Sequence, residues 1–552
     1  MFRTKIISSQ DKPFIDQSIE EFSSLERISA LMGERLSFQL IYTDEGKKQL
    51  PTRPFAKVII DGELARYATA RDVRLVPVDR PVNPAKFDDQ YLRTTPGIYP
   101  DLLTPLRYGG RVCPGINKLR SVWVEVEIPE GFSGESKLTV TLDVENTEFS
   151  SSESILIDVV NKKLPESDIT FTQWFYADCL ASYYNVESWS ERHWEIVESF
   201  LRNAHKRGRN MIYTPLLTPA LNVQEPFFRT PSPLVDVTLT KGEYSFDFKN
   251  LDRWVDLCKE IGFKCFEISH FYDQHHAKNS AKVYGTKDGE YGLLFGWETL
   301  ALDPEYTRFL RALVSAFVEH MKSRGDDKLC YYHISDEPNL ECLEHYTAVK
   351  EAISDLLEGY KIMDALSDVD FYSRGVLGLP VPTTSSAPSF IERGVPNLWV
   401  YYACNEVVDY SNCYVAMPYY RTRSLGMQLY KFDIKGFLHW GYNYYNNRCS
   451  GDAINPFIDL GGEDWVPAGD TFMVYPDQDG TPLESTRLLS LEEAFQDLRA
   501  FKLCEKLYSR ERVISEIEGI LGEEITFRRC AHSTEEMLKI RERINELIKE
   551  RA

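Results

Sequence analysis

Over the first 165 or so residues, apolar and polar side chains alternate with a period near two in "RLSFQLIY", "FAKVIIDG", "VRLVPVD", "SVWVEVEIP", "SKLTVTLDVE" and "SILIDVVNKKL". That period puts one face of each strand into a core and turns the other outward. Gly, Pro, Ser and Asp clusters separate the runs and helical periodicity is nearly absent, so the pattern predicts an antiparallel β-sandwich. In "NKKLPESDIT", residues 161–170, a proline and several charges break the pattern and mark a linker.

From Phe171 onward, strand-like apolar runs alternate with helix-like ones. "FTQWFYAD" precedes a helix with Trp194, Val197, Leu201 and Ala204 on one face, for which Ser188 and Glu191 offer a capping box and Gly208 a stop. "MIYTPLL" follows. Leu251, Trp254, Val255, Cys258 and Ile261 then mark a helix ended by Gly262, and further strands are expected at "FKCFEISH", "KLCYYHIS", "KIMDALSD", "GVLGLPV", "LWVYYAC" and "GFLHWGYN". Eight strands with intervening helices predict a closed (β/α)8 TIM-like barrel, with the Gly- and Pro-containing sixth strand as its weakest member. The expected organisation is a β-sandwich over 1–165, a catalytic barrel over 166–485 and a C-terminal helical segment over 486–552. Leu538, Ile540, Ile544 and Leu547 give the last helix an apolar face to pack on the barrel or on a partner, a homodimer being one such arrangement.

Composition narrows the function. The formal net charge of −21 would repel a polyanion, so nucleic acid is not an expected partner. No apolar run reaches the length of a membrane span, and "MFRTKIISSQDKPF" lacks a signal-type apolar core. Eleven single cysteines without a C-x-x-C pair fit reduced thiols, and a cytoplasmic location is the expectation. Thirty-one Tyr, thirty Phe and nine Trp exceed the needs of a core, and flat aromatic faces are what sugar rings stack on.

The chemistry concentrates in "YYHISDEPN", where Asp336 and Glu337 stand together at the end of the fourth barrel strand. Barrel enzymes build their active sites on that face. Neighbours in a strand point to opposite sides, so both carboxylates enter one cavity only if the backbone turns there, as Pro338 permits. Crowded together they resist joint ionisation, leaving one acid and one anion. Glycoside hydrolysis needs such a division. Adjacent carboxylates suit the variant in which a 2-acetamido oxygen attacks its own anomeric carbon, Asp336 holding the acetamido N–H and Glu337 protonating the leaving group. The simpler alternative is that the two acids cap the following helix.

"YYHISDEPNLECLEHYTAVK", with "LWVYYACN", "GFLHWGYNYYNN" and "GDTFMVYPDQDGTPLESTRLLSLEEAFQDLRAFKLCEKL", resembles the catalytic domain called domain of unknown function 4091, which includes glycoside hydrolase family 123. "PGIYPDLLTPL" and "SVWVEVEIPEGFSGESKLTV" resemble the β-sandwich that precedes that barrel. The resemblance implies a retaining, substrate-assisted β-N-acetylgalactosaminidase in which Asp336 orients the acetamido group and Glu337 is general acid, then base.

Other strand ends supply candidate sugar contacts: Trp174, Tyr176 and Asp178 after the first strand, Tyr213 in the second, His270, Tyr272 and Asp273 after the third, Tyr401, Tyr402 and Asn405 after the seventh, and Trp440, Tyr442 and Asn443 after the eighth. His270, Asp273, His275 and His276 in "SHFYDQHHAK" raise a metal site, but their spacing matches no established one, and no metal is expected. His333 and His439 read as hydrogen-bonded core histidines. With no G-x-S-x-G and no nucleotide fingerprint, no cofactor is expected and a glycan or glycoconjugate is the expected partner. The alternatives are a carbohydrate-binding protein without turnover, or a hydrolase of a different 2-acetamido or plain sugar.

Overall fold

The structure is a computed structural model that describes residues 2–44, 55–115, 117–145, 150–274 and 276–552. The N-terminal half-pattern forms two five-stranded sheets. One contains Phe2–Ser8, Arg35–Asp44, Arg120–Glu127, Ala68–Val78 and Gly97–Pro105, in that spatial order; the other contains Arg27–Met32, Ser150–Lys163, Gly134–Val144, Ala56–Asp61 and Arg111–Val112. Every pairing is antiparallel except that of Arg27–Met32 with Ser150–Lys163. Alternate residues such as Phe38, Leu40, Val124, Val140 and Ile157 meet between the sheets. Arg120–Glu127 is buried on both faces: Val122, Val124 and Val126 enter the sandwich core, whereas Trp123 packs into the core of the barrel.

The eight barrel strands are Thr170–Gln173, Met211–Thr214, Cys265–Ile268, Cys330–Tyr332, Lys361–Ala365, Leu379–Val381, Trp399–Tyr401 and Gly436–His439. They pair in parallel, in the order six, five, four, three, two, one, eight, seven. Between strands six and seven the sheet narrows to an isolated bridge, Thr383 with Tyr401, so the barrel is nearly closed and its seam lies at the Gly- and Pro-bearing strand. Pro380 has no N–H to give a neighbour, which limits the ladder there.

Helix Glu191–Lys206 buries Trp194, Val197, Leu201 and Ala204 as their spacing predicts, but its N-cap is Ser190, which accepts from the His193 N–H. Ser188 instead donates to the Pro231 carbonyl at 2.8 Å. Two hairpins with no counterpart in the sequence reading, Asp236–Thr240 with Glu243–Asp247 and Val283–Lys287 with Glu290–Phe295, form a four-stranded sheet beside the barrel mouth.

Helix Thr486–Leu507 follows the eighth strand and is buried along most of its length. Phe495 stacks on Phe171 of the first strand at 4.2 Å between centroids. The terminal helix, Thr534–Glu550, buries Ile540, Ile544 and Leu547 within the chain, with Leu538 partly exposed. Its Arg541 reaches Asp497 and Glu34, joining helix Thr486–Leu507 to the sandwich.

A second joint is ionic. Arg207, 2% exposed, binds Glu125 of the sandwich, Glu484 of the short Pro482–Glu484 strand and Glu492 of helix Thr486–Leu507, at 2.8, 2.6 and 2.5 Å. Burial opposes ionisation of Glu484, but Arg207 and Arg71 outweigh it and hold that carboxyl far below the usual range. Removing the cation would leave the three carboxylates to Arg71 and Arg35 alone, and breaking such a buried pair costs about 3–5 kcal/mol. Arg207→Leu is therefore expected to lower the denaturation midpoint strongly at neutral pH. A depressed carboxyl contributes stability above its unfolded pKa and loses it as pH falls through the folded one, so the gap between wild type and variant should narrow in acid. Urea titrations at pH 7 and pH 4 check this; a gap that does not narrow would refute the ionic account.

Candidate active site

The fourth strand ends at Tyr332, and the chain then leaves the sheet. Asp364, inward-facing on the fifth strand, takes the place of a neighbouring strand: its carboxylate accepts from the N–H groups of Ile334 at 3.1 Å and Ser335 at 3.5 Å, and from the Tyr346 hydroxyl. Ser335 donates to the Asp273 carbonyl at 2.6 Å. The Glu337 N–H returns to the Ala365 carbonyl at 2.9 Å, and Glu337 adopts a left-handed φ of 47°. That conformation is uncommon for a residue with a long side chain and costs about 1–2 kcal/mol. It breaks the alternation of the strand, and Asp336 and Glu337 open into the same cavity.

The cavity has a volume of about 430 Å³ at the C-terminal mouth of the barrel. Its walls include Trp174, Trp297, Tyr401, Trp440 and Trp465, with Asn222, Glu225, Asp273, Gln274 and Arg448 among the polar lining groups. Asp336 is 4% exposed and accepts from Gln274 Nε2 at 2.8 Å; Gln274 is held in turn by the Asn222 N–H at 2.9 Å. Glu337 is exposed through the mouth, and its Oε1 accepts from the Tyr401 hydroxyl at 2.5 Å.

Burial, and next to it the charge of Glu337, raises the Asp336 carboxyl well above the ordinary carboxylate range. The carboxyl held toward its protonated form is the deeper of the two, Asp336 at the cavity floor, while Glu337 lies at its opening. Under the floor, His333 is clamped between Asp364 at 2.8 Å and Glu267 at 2.7 Å. Burial opposes its charge, yet the two carboxylates raise it to about 9, so it is an imidazolium at neutral pH. Glu267 also accepts from Trp174 Nε1 at 2.7 Å, tying that wall to the same network.

Of the sequence-predicted contacts, Trp174, Asp273, Tyr401 and Trp440 line the cavity with the two carboxylates. Tyr176, Tyr213, His270, Tyr442 and Asn443 do not; each is fully buried behind the wall. The Tyr213 hydroxyl and His270 Nδ1 share a hydrogen bond of 3.1 Å, and His270 stacks on His333 at 4.2 Å between ring centroids. Burial and the His333 charge hold His270 well below the usual imidazole range. The Asn443 side chain bonds both backbone groups of Tyr176, joining the loops after the first and eighth strands. Tyr442 turns outward to Asn203 on helix Glu191–Lys206 at 2.8 Å. Between Trp440 and Tyr442, a Cβ at Gly441 would sit 2.4 Å from the Asp470 carbonyl, and this close approach parts two side chains that alternation would put on one face.

Asp178 is paired with Arg229, Tyr272 and Tyr402 are buried, and Asn405 is exposed outside the cavity wall. His275 lies outside the described residues; His270 is buried and His276 exposed, so those two do not converge. Among the described residues, ligand-type atoms converge at His270, His333 and Asp364 and at Cys413, His439 and Asp470. His333 has both nitrogens on carboxylates. Nδ1 of His439 accepts from Gln173 at 2.8 Å, an orientation set by the bonds of Arg209 to Gln173 Oε1. A metal-bound imidazole would donate from that second nitrogen, so neither donor set suits an ion.

Glu267, Asp364, Gln274, Trp297 and Trp465 were not singled out from the sequence. Glu267 in "FKCFEISH" and Asp364 in "KIMDALSD" carry a signal, a carboxylate inside an apolar strand. Gln274 and the two tryptophans sit in loops with no local pattern to mark them.

The model of the glycoside hydrolase 123 catalytic domain matches residues 174–504, more than half of the chain. No curated protein matches it. Among solved structures, a family 123 glycoside hydrolase from Clostridium perfringens, described for glycolipid glycan hydrolysis, superposes with a TM-score of 0.74 at 16% identity, covering 100% of this chain and 98% of that one. A β-glucuronidase from Parabacteroides merdae, at 9% identity, covers 89% of this chain and 52% of its own with a TM-score of 0.31, too low to bear on function. The nearly closed barrel, its β-sandwich and the family match over the cavity-forming strands place the chain in glycoside hydrolase family 123.

Proposed function

We propose that the protein is a retaining exo-glycoside hydrolase that releases terminal β-linked N-acetylgalactosamine by substrate-assisted catalysis, with Asp336 and Glu337 as its catalytic residues. One observation carries this reading: two neighbouring carboxylates of unequal depth open into one aromatic-walled cavity. The aromatic walls suit the apolar faces of a sugar, and the volume accommodates a terminal sugar with part of its acceptor. Because the Clostridium perfringens relative is described for glycolipid glycans, a glycolipid head group is the first natural substrate to try.

The pair shares one proton. An acetamido N–H directed at Asp336 stabilises its anion, so substrate shifts the proton from the floor to Glu337. The Tyr401 hydroxyl donates to Oε1 of Glu337 and orients that carboxyl at the cavity opening, where it meets the glycosidic oxygen. The acetamido oxygen then bonds to the anomeric carbon as the glycosidic C–O bond breaks, and the leaving oxygen takes the Glu337 proton. Water next attacks the anomeric carbon and reopens the oxazolinium ring; Glu337 takes the water proton, and two inversions give retention.

With a chromogenic β-N-acetylgalactosaminide, Glu337→Gln is expected to lower kcat/KM by about 10²–10⁴. Equal, negligible release by wild type and variant would refute the enzyme reading. A thiazoline mimic of the cyclised intermediate is expected to inhibit competitively, and an active enzyme indifferent to it would exclude substrate assistance. Asp336→Asn is expected to reduce turnover while raising the melting temperature. A raised folded pKa stabilises fully below the unfolded pKa of about 3.9 and is lost as pH rises through the folded value, so this gain should widen from pH 5 to pH 8. Melting curves across that range check it; a gain that shrinks with pH would contradict a proton held at the floor.

A further inference from the structure

The cavity wall continues without a break into an apolar shelf. Gln224 and Glu225 line the cavity, and the next residues are Pro226, Phe227 and Phe228, the two phenylalanines standing 42% and 40% exposed. Trp297, also in the cavity wall, donates its indole N–H to the Phe227 carbonyl at 3.0 Å, with the Phe228 ring 6.5 Å from its own. Leu293 on strand Glu290–Phe295 is 45% exposed; its Cδ2 and Phe228 Cε1 close over Gly296, lying 2.8 and 3.7 Å from where a Cβ would stand. Tyr291 projects from the same face of that strand, 67% exposed. Among the described residues, six of the twelve large apolar side chains most open to water fall between residues 227 and 302, the stretch of chain that carries the shelf.

Contiguous exposed apolar surface marks something it is built to meet. Three observations choose the occupant. The shelf is continuous with the cavity, so what covers it must also present a glycan to Asp336 and Glu337; a second copy laid over the shelf would crowd the mouth. The exposed groups are aromatic or branched aliphatic, the chemistry that settles at a lipid–water boundary. The net charge of −21 is repelled by anionic headgroups, which leaves an electrically neutral surface.

We propose that this shelf docks the enzyme on a neutral lipid–water interface displaying its glycan, Phe227, Phe228, Tyr291 and Leu293 entering among the headgroups while the cavity takes the terminal sugar. The proposal deepens the function given above and, for its effect on turnover, rests on it.

The test uses the full chain and two double variants, Phe227→Ser/Phe228→Ser and Tyr291→Ser/Leu293→Ser, each with its melting temperature measured. Wild type is expected to co-sediment with phosphatidylcholine vesicles, to do so less when phosphatidylserine is added, and to lose the association in both variants. On vesicles bearing a glycolipid with terminal β-N-acetylgalactosamine, kcat/KM should fall about tenfold in each variant, while release from a soluble chromogenic galactosaminide stays within about twofold. Absence of wild-type co-sedimentation, equal loss on both substrates, or unchanged vesicle turnover would overturn the proposal. So would a dimer in sedimentation velocity that the serine variants dissociate without any effect on vesicles, which would assign the shelf to a second copy. If wild type releases sugar from neither substrate, the catalytic reading fails, while co-sedimentation still decides the docking.

Discussion

The site depends on one substitution of hydrogen-bond partner. At Ile334 and Ser335 the backbone N–H groups bond no neighbouring strand, and the Asp364 carboxylate supplies their acceptors until the Glu337 N–H returns to Ala365 of the fifth strand. A chain kept in the ladder would throw Asp336 and Glu337 to opposite sides of the sheet. Released from it and turned by the left-handed conformation at Glu337, the chain delivers both to one cavity. Asp364 thus acts on the site through the backbone, without itself lining the cavity.

Such a device places several charges where water cannot reach them. Glu267, His333 and Asp364 are all fully buried, and isolated burial of any one would be costly. They are tolerable together because His333, as an imidazolium, gives one N–H to each carboxylate, and the Trp174 and Tyr346 donors occupy further lone pairs. Of this network, the His333 charge lowers the Asp336 carboxyl more than Asp364 raises it, so the upward shift at the cavity floor comes from burial and from Glu337.

Sandwich and barrel share load in the same manner. Arg120–Glu127 belongs to both units, with valines on one side and Trp123 and Glu125 on the other, and Arg207 ties Glu125 to the helix behind the first and eighth barrel strands. The near-continuous burial of Thr486–Leu507 follows from its position between barrel, sandwich and terminal helix. In "SVWVEVEIP" only Trp123 departs from the alternation of apolar and polar positions, so the second buried face of that strand is not legible from period alone.

Period and punctuation alone determined the class of each half: alternation for the sandwich, strand and helix runs for the barrel, the weak sixth strand at its seam, and the mouth as the place of Asp336 and Glu337. These are local properties, written in the spacing of apolar residues and the acids that end a run. Which strand-end side chains face the cavity was decided only in three dimensions. Tyr442 and Asn443 follow Trp440 in the chain, yet a close backbone approach at Gly441 and bonds to Asn203 and Tyr176 take them elsewhere. The upward shift of the Asp336 carboxyl was decided there too, since it comes first from depth in the cavity, and depth is set by elements far away along the chain.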